Sequence, residues 1–214
     1  MIKIDGFRDV IAARAAVAAG AGAIGFILAP SRRQISPESI AAILGELSAG
    51  RPPVVGVFVN ESPGAIDDIV RVSGVDVIQL AGDELPSILD CLDYPVWKAL
   101  RFEAGTTIDE ASRIVELWLS PSRPVKAVLV DAAVPGSYGG SGHVADWDLA
   151  ARLAETYPVI LAGGLTPANV AGAIESVRPF GVDVSSGVEV DGSKDPGLIQ
   201  AFIEESLRAF ALAG

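Results

Sequence analysis

Hydrophobic positions along the chain fall into short apolar runs, separated by longer stretches in which apolar residues recur every three to four positions. The runs cover residues 1–4, 23–28, 54–59, 75–80, 96–100, 127–130, 159–162 and 181–184. Each is short enough for a strand, and some, such as VVGVFV at 54–59, are apolar throughout, as in a parallel sheet covered on both faces. Between the runs the spacing becomes helical. Residues 9–19 are alanine-rich without a breaker and end at Gly20 and Gly22. Ile66, Ile69 and Val70 make one apolar stripe, Ile108, Ala111, Val115 and Trp118 a second, and Ile199, Phe202 and Ile203 a third.

The starts of the helices are marked as well. Ser36-Pro37, Ser62-Pro63, Thr166-Pro167 and Asp195-Pro196 each place a capping side chain before a proline at the first helical position. Thr107 and Glu110 have the spacing of a capping box, and Asp146 is placed to cap the sixth helix. The second helix is predicted to reach Ser48, and a short fourth helix to start at Glu84. Strict alternation of strands and helices predicts a parallel sheet, and eight such units predict closure. The expected fold is α/β, a single-domain (β/α)8 TIM barrel over residues 1–214, with a doubly wound open sheet as the alternative. Gly20-Ala-Gly22-Ala-Ile-Gly25 spells a dinucleotide fingerprint, but it follows a helix and leads into a strand, the reverse of what that motif requires. It is read as a turn.

Composition narrows the function. Half of the residues are hydrophobic and 20% are charged, which suits a large core and not a disordered chain. A formal net charge of −11 argues against non-specific binding to nucleic acid or to an anionic membrane surface. The single cysteine, Cys91, rules out an intrachain disulfide, and it is placed in packing on the fourth helix. The longest uncharged run, 15–30, is broken by three glycines, and no signal-peptide pattern opens the chain. A cytoplasmic protein is expected. No His, Cys and carboxylate cluster has metal spacing, so no metal is expected.

In a barrel of this kind, function lies just past the strand C-termini. Asp5 and Asp131 end strands 1 and 6, on opposite sides of the predicted mouth. Either they act as general acid and base, or each caps a turn. Arg32-Arg33 follows strand 2, where an arginine can clamp a carboxylate through a bidentate pair or simply be solvated. Gly163-Gly164 after strand 7 and Ser185-Ser186 after strand 8 offer spare N–H groups at two neighbouring turns, a site for a phosphate dianion. The glycine-rich loop 135–143 is a candidate cover, and it carries His143, the only histidine, read as a surface residue.

Read together, KIDG (3–6), GFILAPSRRQISPE (25–38), VGVFVNE (55–61), IQLAGDE (78–84), KALR (98–101), LVDAAVPGSYGGSG (129–142), ADWDL (145–149), LAGGLTPANV (161–170) and GVDVSSGVE (181–189) closely resemble the phosphoribosylanthranilate isomerase family. The resemblance spans essentially the whole chain. It implies a (β/α)8 barrel of tryptophan biosynthesis, monomeric or homodimeric, that needs no cofactor and acts on a small phosphoribosyl substrate by an Amadori rearrangement. By the same resemblance Asp131 matches the general acid, Arg33 the arginine on the anthranilate carboxylate, and Asp183 a residue near the ribose hydroxyls. Gly142, Gly163, Gly164, Ser185 and Ser186 match the phosphate-binding turns.

Three positions depart from the family pattern. Its K-I-C-G cysteine, the general base, is Asp5 here, its Q-L-H-G-D-E histidine is Ala81, and its G-x-G-K lysine is His143. The loop carrying Arg33 is one residue shorter. A carboxylate is ionised at pH 7 without help, whereas a thiol of pKa about 8.5 must be tuned down. With a free pKa of about 3.9 it is also the weaker base. The resemblance therefore implies an isomerase with Asp5 as base. The alternatives are a related phosphosugar isomerase with another aglycone, or a barrel that binds a phosphorylated ligand without catalysis.

Overall fold

Eight parallel strands close into a barrel in chain order, with β8 (Gly181–Val184) returning to pair with β1 (Ile2–Ile4). Between them run β2 (Ala23–Ile27), β3 (Val54–Phe58), β4 (Val77–Leu80), β5 (Val96–Arg101), β6 (Val125–Asp131) and β7 (Val159–Leu161). The computed structural model describes residues 1–48, 50–103, 105–119, 125–131 and 147–213. Asp146, Gly142 and the loop 135–143 lie outside the described residues. The outer layer consists of α1 (Val10–Ala19), α2 (Pro37–Gly45), α3 (Pro63–Ser73), α4 (Ile108–Trp118), α5 (Trp147–Ala154), α6 (Val170–Val177) and α7 (Pro196–Ala213). Among the described residues no helix is long and apolar enough to cross a membrane.

The period of two along each strand sorts side chains into two cores. On β3, Val55 and Val57 point into the barrel with Trp97, Ala99, Leu129 and Ile160, while Val54 and Phe58 point out against the helices. The outer core is the larger and takes the predicted helix stripes. Ala111, Val115 and Trp118 of α4 are buried there, as are Ile199, Phe202 and Ile203 of α7. Continuous apolar strands thus serve both layers, and their C-terminal ends are left to carry polar residues.

Three of the four predicted serine-, threonine- or aspartate-proline starts open helices. Ser36 accepts from the Ser39 N–H, Ser62 from the Ala65 N–H and Asp195 from the Leu198 N–H. Thr166-Pro167 instead opens a turn, and α6 begins at Val170. The Asn169 side chain accepts from the Thr166 N–H at 2.8 Å and donates to the Gly164 carbonyl at 3.0 Å, which closes that turn ahead of the helix. The predicted fourth helix is a six-residue 3-10 helix, Pro86–Cys91, and Cys91 is exposed instead of packed. Helix α2 stops at Gly45, short of Ser48. After β8 the chain adds a 3-10 turn, Ser186–Val188, and an unpredicted antiparallel pair, β9 (Glu189–Val190) with β10 (Ser193–Lys194).

Candidate active site

A pocket of about 580 Å³ opens at the C-terminal ends of the strands. Asp5, Arg33, Asp131, Asp183, Gly163, Gly164, Ser185 and Ser186 all line it, so of the catalytic, substrate and phosphate positions carried over from the resemblance only Gly142 falls outside the described residues. Asp5 and Asp131 are closer around the barrel than opposite sides of the mouth: only β7 and β8 stand between their strands in one direction. Those two strands also carry the glycine and serine turns, so both carboxylates flank the predicted phosphate site.

The acidic floor is built on one strand and its neighbour. Lys3 and Asp5 stand two residues apart on the inward side of the first strand, and Lys3 is in register with Asp183 on β8. The Lys3 ammonium, fully buried, lies 3.0 Å from Asp183 Oδ1 and 3.2 Å from Asp5 Oδ2. Burial pulls its pKa down, and Asp183 and Asp5 together more than offset that, leaving it raised. Burial pushes the Asp183 carboxyl up, Lys3 opposes this, and the charges of Asp5 and Asp131 push it further, to about 7. Asp5 Oδ1 is buried and has no hydrogen-bond partner. It fits against the second strand because residue 25 is glycine: a Cβ there would collide with Oδ1.

Arg33 is also buried and is held in place from two directions. Its stem lies across Gly6, whose φ of +81° suits glycine and where a Cβ would come 2.7 Å from Arg33 Cδ. Its guanidinium makes a bidentate pair with Glu189, Nε to Oε1 at 2.6 Å and Nη2 to Oε2 at 2.9 Å. Lys194 Nζ reaches Oε1 at 2.8 Å and Arg32 reaches Oε2 at 3.1 Å. Burial raises the Glu189 carboxyl, but its bonds to Arg33 and Lys194 outweigh that and hold it at about 2. The Nε edge of Arg33 is thus taken by an internal carboxylate. Among the described residues no partner takes up Nη1.

The two turns meet through another glycine. A Cβ on Gly187 would overlap the Leu165 carbonyl, so the loops after β7 and β8 lie backbone against backbone. Gly163 and Gly164 both have positive φ, at 88° and 67°. The N–H groups of Gly163, Gly164 and Ser185 are not taken up by other described residues. Converging free N–H groups make a nest for an anion. Among the described residues no group of three His, Cys, Asp or Glu side chains could hold a metal ion.

Comparison with known proteins decides the family. A family model described as N-(5'phosphoribosyl)anthranilate (PRA) isomerase matches residues 2–205. The chain belongs to this family. It is 47% identical over 209 residues to N-(5'-phosphoribosyl)anthranilate isomerase of Roseiflexus sp. (strain RS-1), covering 94% of this chain and 95% of that one. The crystal structure of phosphoribosyl anthranilate isomerase from Thermotoga maritima superposes with a TM-score of 0.84 at 34% identity, covering 97% and 98%. Another solved isomerase, in complex with reduced 1-(o-carboxyphenylamino)-1-deoxyribulose 5-phosphate, gives 0.81 at 33% identity over the same shares. The chain is thus an enzyme, an isomerase of tryptophan biosynthesis.

Within this isomerase barrel, sequence reasoning missed Lys3, Glu189 and Lys194. Lys3 had a readable signal, since a lysine two residues before Asp5 on a strand must share its face. Glu189 and Lys194 had none, because the short β9–β10 pair that folds them back over Arg33 has no apolar pattern. Arg101 also lines the pocket and donates to the Ala81 carbonyl at 3.1 Å, beside the position where the family motif has histidine.

Proposed function

We propose that this isomerase converts N-(5'-phosphoribosyl)anthranilate to 1-(2-carboxyphenylamino)-1-deoxyribulose 5-phosphate with a carboxylate, Asp5, as its general base. The observation that carries the reading is the buried Asp5 carboxylate, one oxygen on Lys3 and the other without a partner, in a pocket shared with Asp131 and two N–H-rich turns. Asp131 protonates the furanose ring oxygen, the C1′–O bond breaks, and the sugar opens to an iminium whose former ring oxygen is the C4′ hydroxyl. Asp5 takes the proton from C2′, and its electron pair forms the C1′–C2′ double bond and neutralises the nitrogen. The resulting enolamine becomes the ketone when the enol proton is lost and a proton is gained at C1′. No atoms are gained or lost, and one proton passes from Asp131 to substrate as another passes from substrate to Asp5.

The remaining assignments follow the same pose. Gly163, Gly164, Ser185 and Ser186 hold the phosphate, with Gly142 assigned there from the family motif. Asp183 binds the ribose hydroxyls, and Arg33 receives the anthranilate carboxylate on its outer hydrogens while Glu189 fixes its plane. Turnover of freshly generated phosphoribosylanthranilate, followed by loss of anthranilate-type fluorescence, tests this. Asp5→Ala and Asp131→Ala are each expected to lower kcat by about 10²–10⁴-fold, the usual worth of one general acid or base, while still binding the reduced product analogue. Wild-type protein that binds the analogue but does not turn over the substrate would instead establish a non-catalytic barrel.

A further inference from the structure

Lys3 is a charged side chain fully buried among the strands, and none of the steps above uses it. It sits where two carboxylates converge. Asp5 and Asp183 project from adjacent, hydrogen-bonded strands and are both more than nine-tenths buried. Two like charges buried side by side disfavour one another's ionisation, so without a counter-charge one is driven to keep a proton. The single ammonium bridges them at 3.2 and 3.0 Å. We propose that Lys3 is a positioning residue that keeps Asp5 anionic in competition with Asp183 and fixes its carboxylate with one oxygen engaged and one left to accept the substrate proton.

This rests on the reading of Asp5 as base, and it makes a separate demand. Asp5 and Asp183 bear directly on this ammonium, Asp131 bears on Asp183, and a second cation, Lys194, bears on Asp5. Lys194 is paired with Glu189, so among the described residues Lys3 is the cation in ion-pair contact with Asp5 and Asp183. The cost of removing it should appear in the protonation of the base and not merely in stability.

The experiment is the acid limb of the kcat–pH profile. Lys3→Met leaves two carboxylates without their cation, and the limb is expected to move up by about one to three pH units, the usual effect of one close opposite charge. Because that variant is at risk of misfolding, the decisive comparison is Asp183→Asn against Asp183→Asn/Lys3→Met, in which no pair of anions is left uncompensated. The limb of the double variant is expected at least about one pH unit above that of the single. Coincident limbs, with only kcat or melting temperature changed, would overturn the proposal and make Lys3 a structural ion. If Asp5→Ala keeps wild-type turnover, the base assignment itself has failed, which is a different result from coincident limbs in an Asp5-dependent enzyme.

Discussion

At the scale of single residues, glycines shape the site as much as the charged groups do. Gly25 gives its side-chain space to Asp5 Oδ1, and Gly6 gives its own to the Arg33 stem. Gly25→Ala is expected to displace the Asp5 carboxylate and to destabilise the fold by about 1–3 kcal/mol, as overpacking does. Urea unfolding and kcat measured together check this, and kcat should fall while the affinity for inorganic phosphate is kept. The residues proposed to carry the chemistry stand at strand ends in motifs, which made their place at one pocket legible. What the sequence did not disclose is which of their donors are already used. Arg33 looks like a free clamp in sequence, yet Glu189 occupies one edge of it, and that contact spans 156 positions of chain.

At the scale of elements, the helix signals were reliable where one side chain decides the outcome. Thr107 and Glu110 form the capping box on α4, with Glu110 accepting from the Thr107 N–H at 2.9 Å and Thr107 accepting in return at 3.4 Å. Thr107→Ala should lower stability by about 1 kcal/mol without changing turnover, as read by denaturant midpoint and assay. Thr166-Pro167 failed as a signal because a rival was in range. Asn169 bonds back to the turn backbone, and asparagine competes for turns in just this way. That turn follows Gly163 and Gly164, where the phosphate is proposed to sit. The β9–β10 pair shows the opposite limit. Two residues per strand carry no periodicity, and tertiary contacts hold the pair against the barrel mouth, among them Arg33 with Glu189, Lys194 with the Ser185 carbonyl and Arg8 with the Gly192 carbonyl.

At the scale of the whole molecule, the eight apolar runs and their intervening helical stripes were enough for the closed barrel, because each unit repeats the same layer requirement. The charge network that the barrel encloses has a pH signature. Glu189 has its folded pKa lowered from an ordinary 4.5 to about 2. Its contribution to stability is therefore present above pH 4.5 and is lost as the pH falls from there to about 2. Glu189→Gln should be less stable than wild type at pH 6, with the difference closing as both are titrated toward pH 2 in urea-unfolding series. Asp183 has the opposite sign. Its raised pKa favours the fold at low pH, and that contribution is lost as the pH rises from 3.8 to about 7.

The central claim is that a carboxylate at the end of the first strand does the work for which the family motif uses a thiolate. The most direct test measures turnover of freshly generated phosphoribosylanthranilate by the wild-type protein, Asp5→Ala and Asp5→Cys under one set of conditions. Turnover by wild type that disappears in Asp5→Ala is the predicted result, with Asp5→Cys active to the extent that the pocket can ionise a thiol. An inactive wild type that becomes active as Asp5→Cys would contradict it, showing a sound scaffold on which Asp5 is not a base.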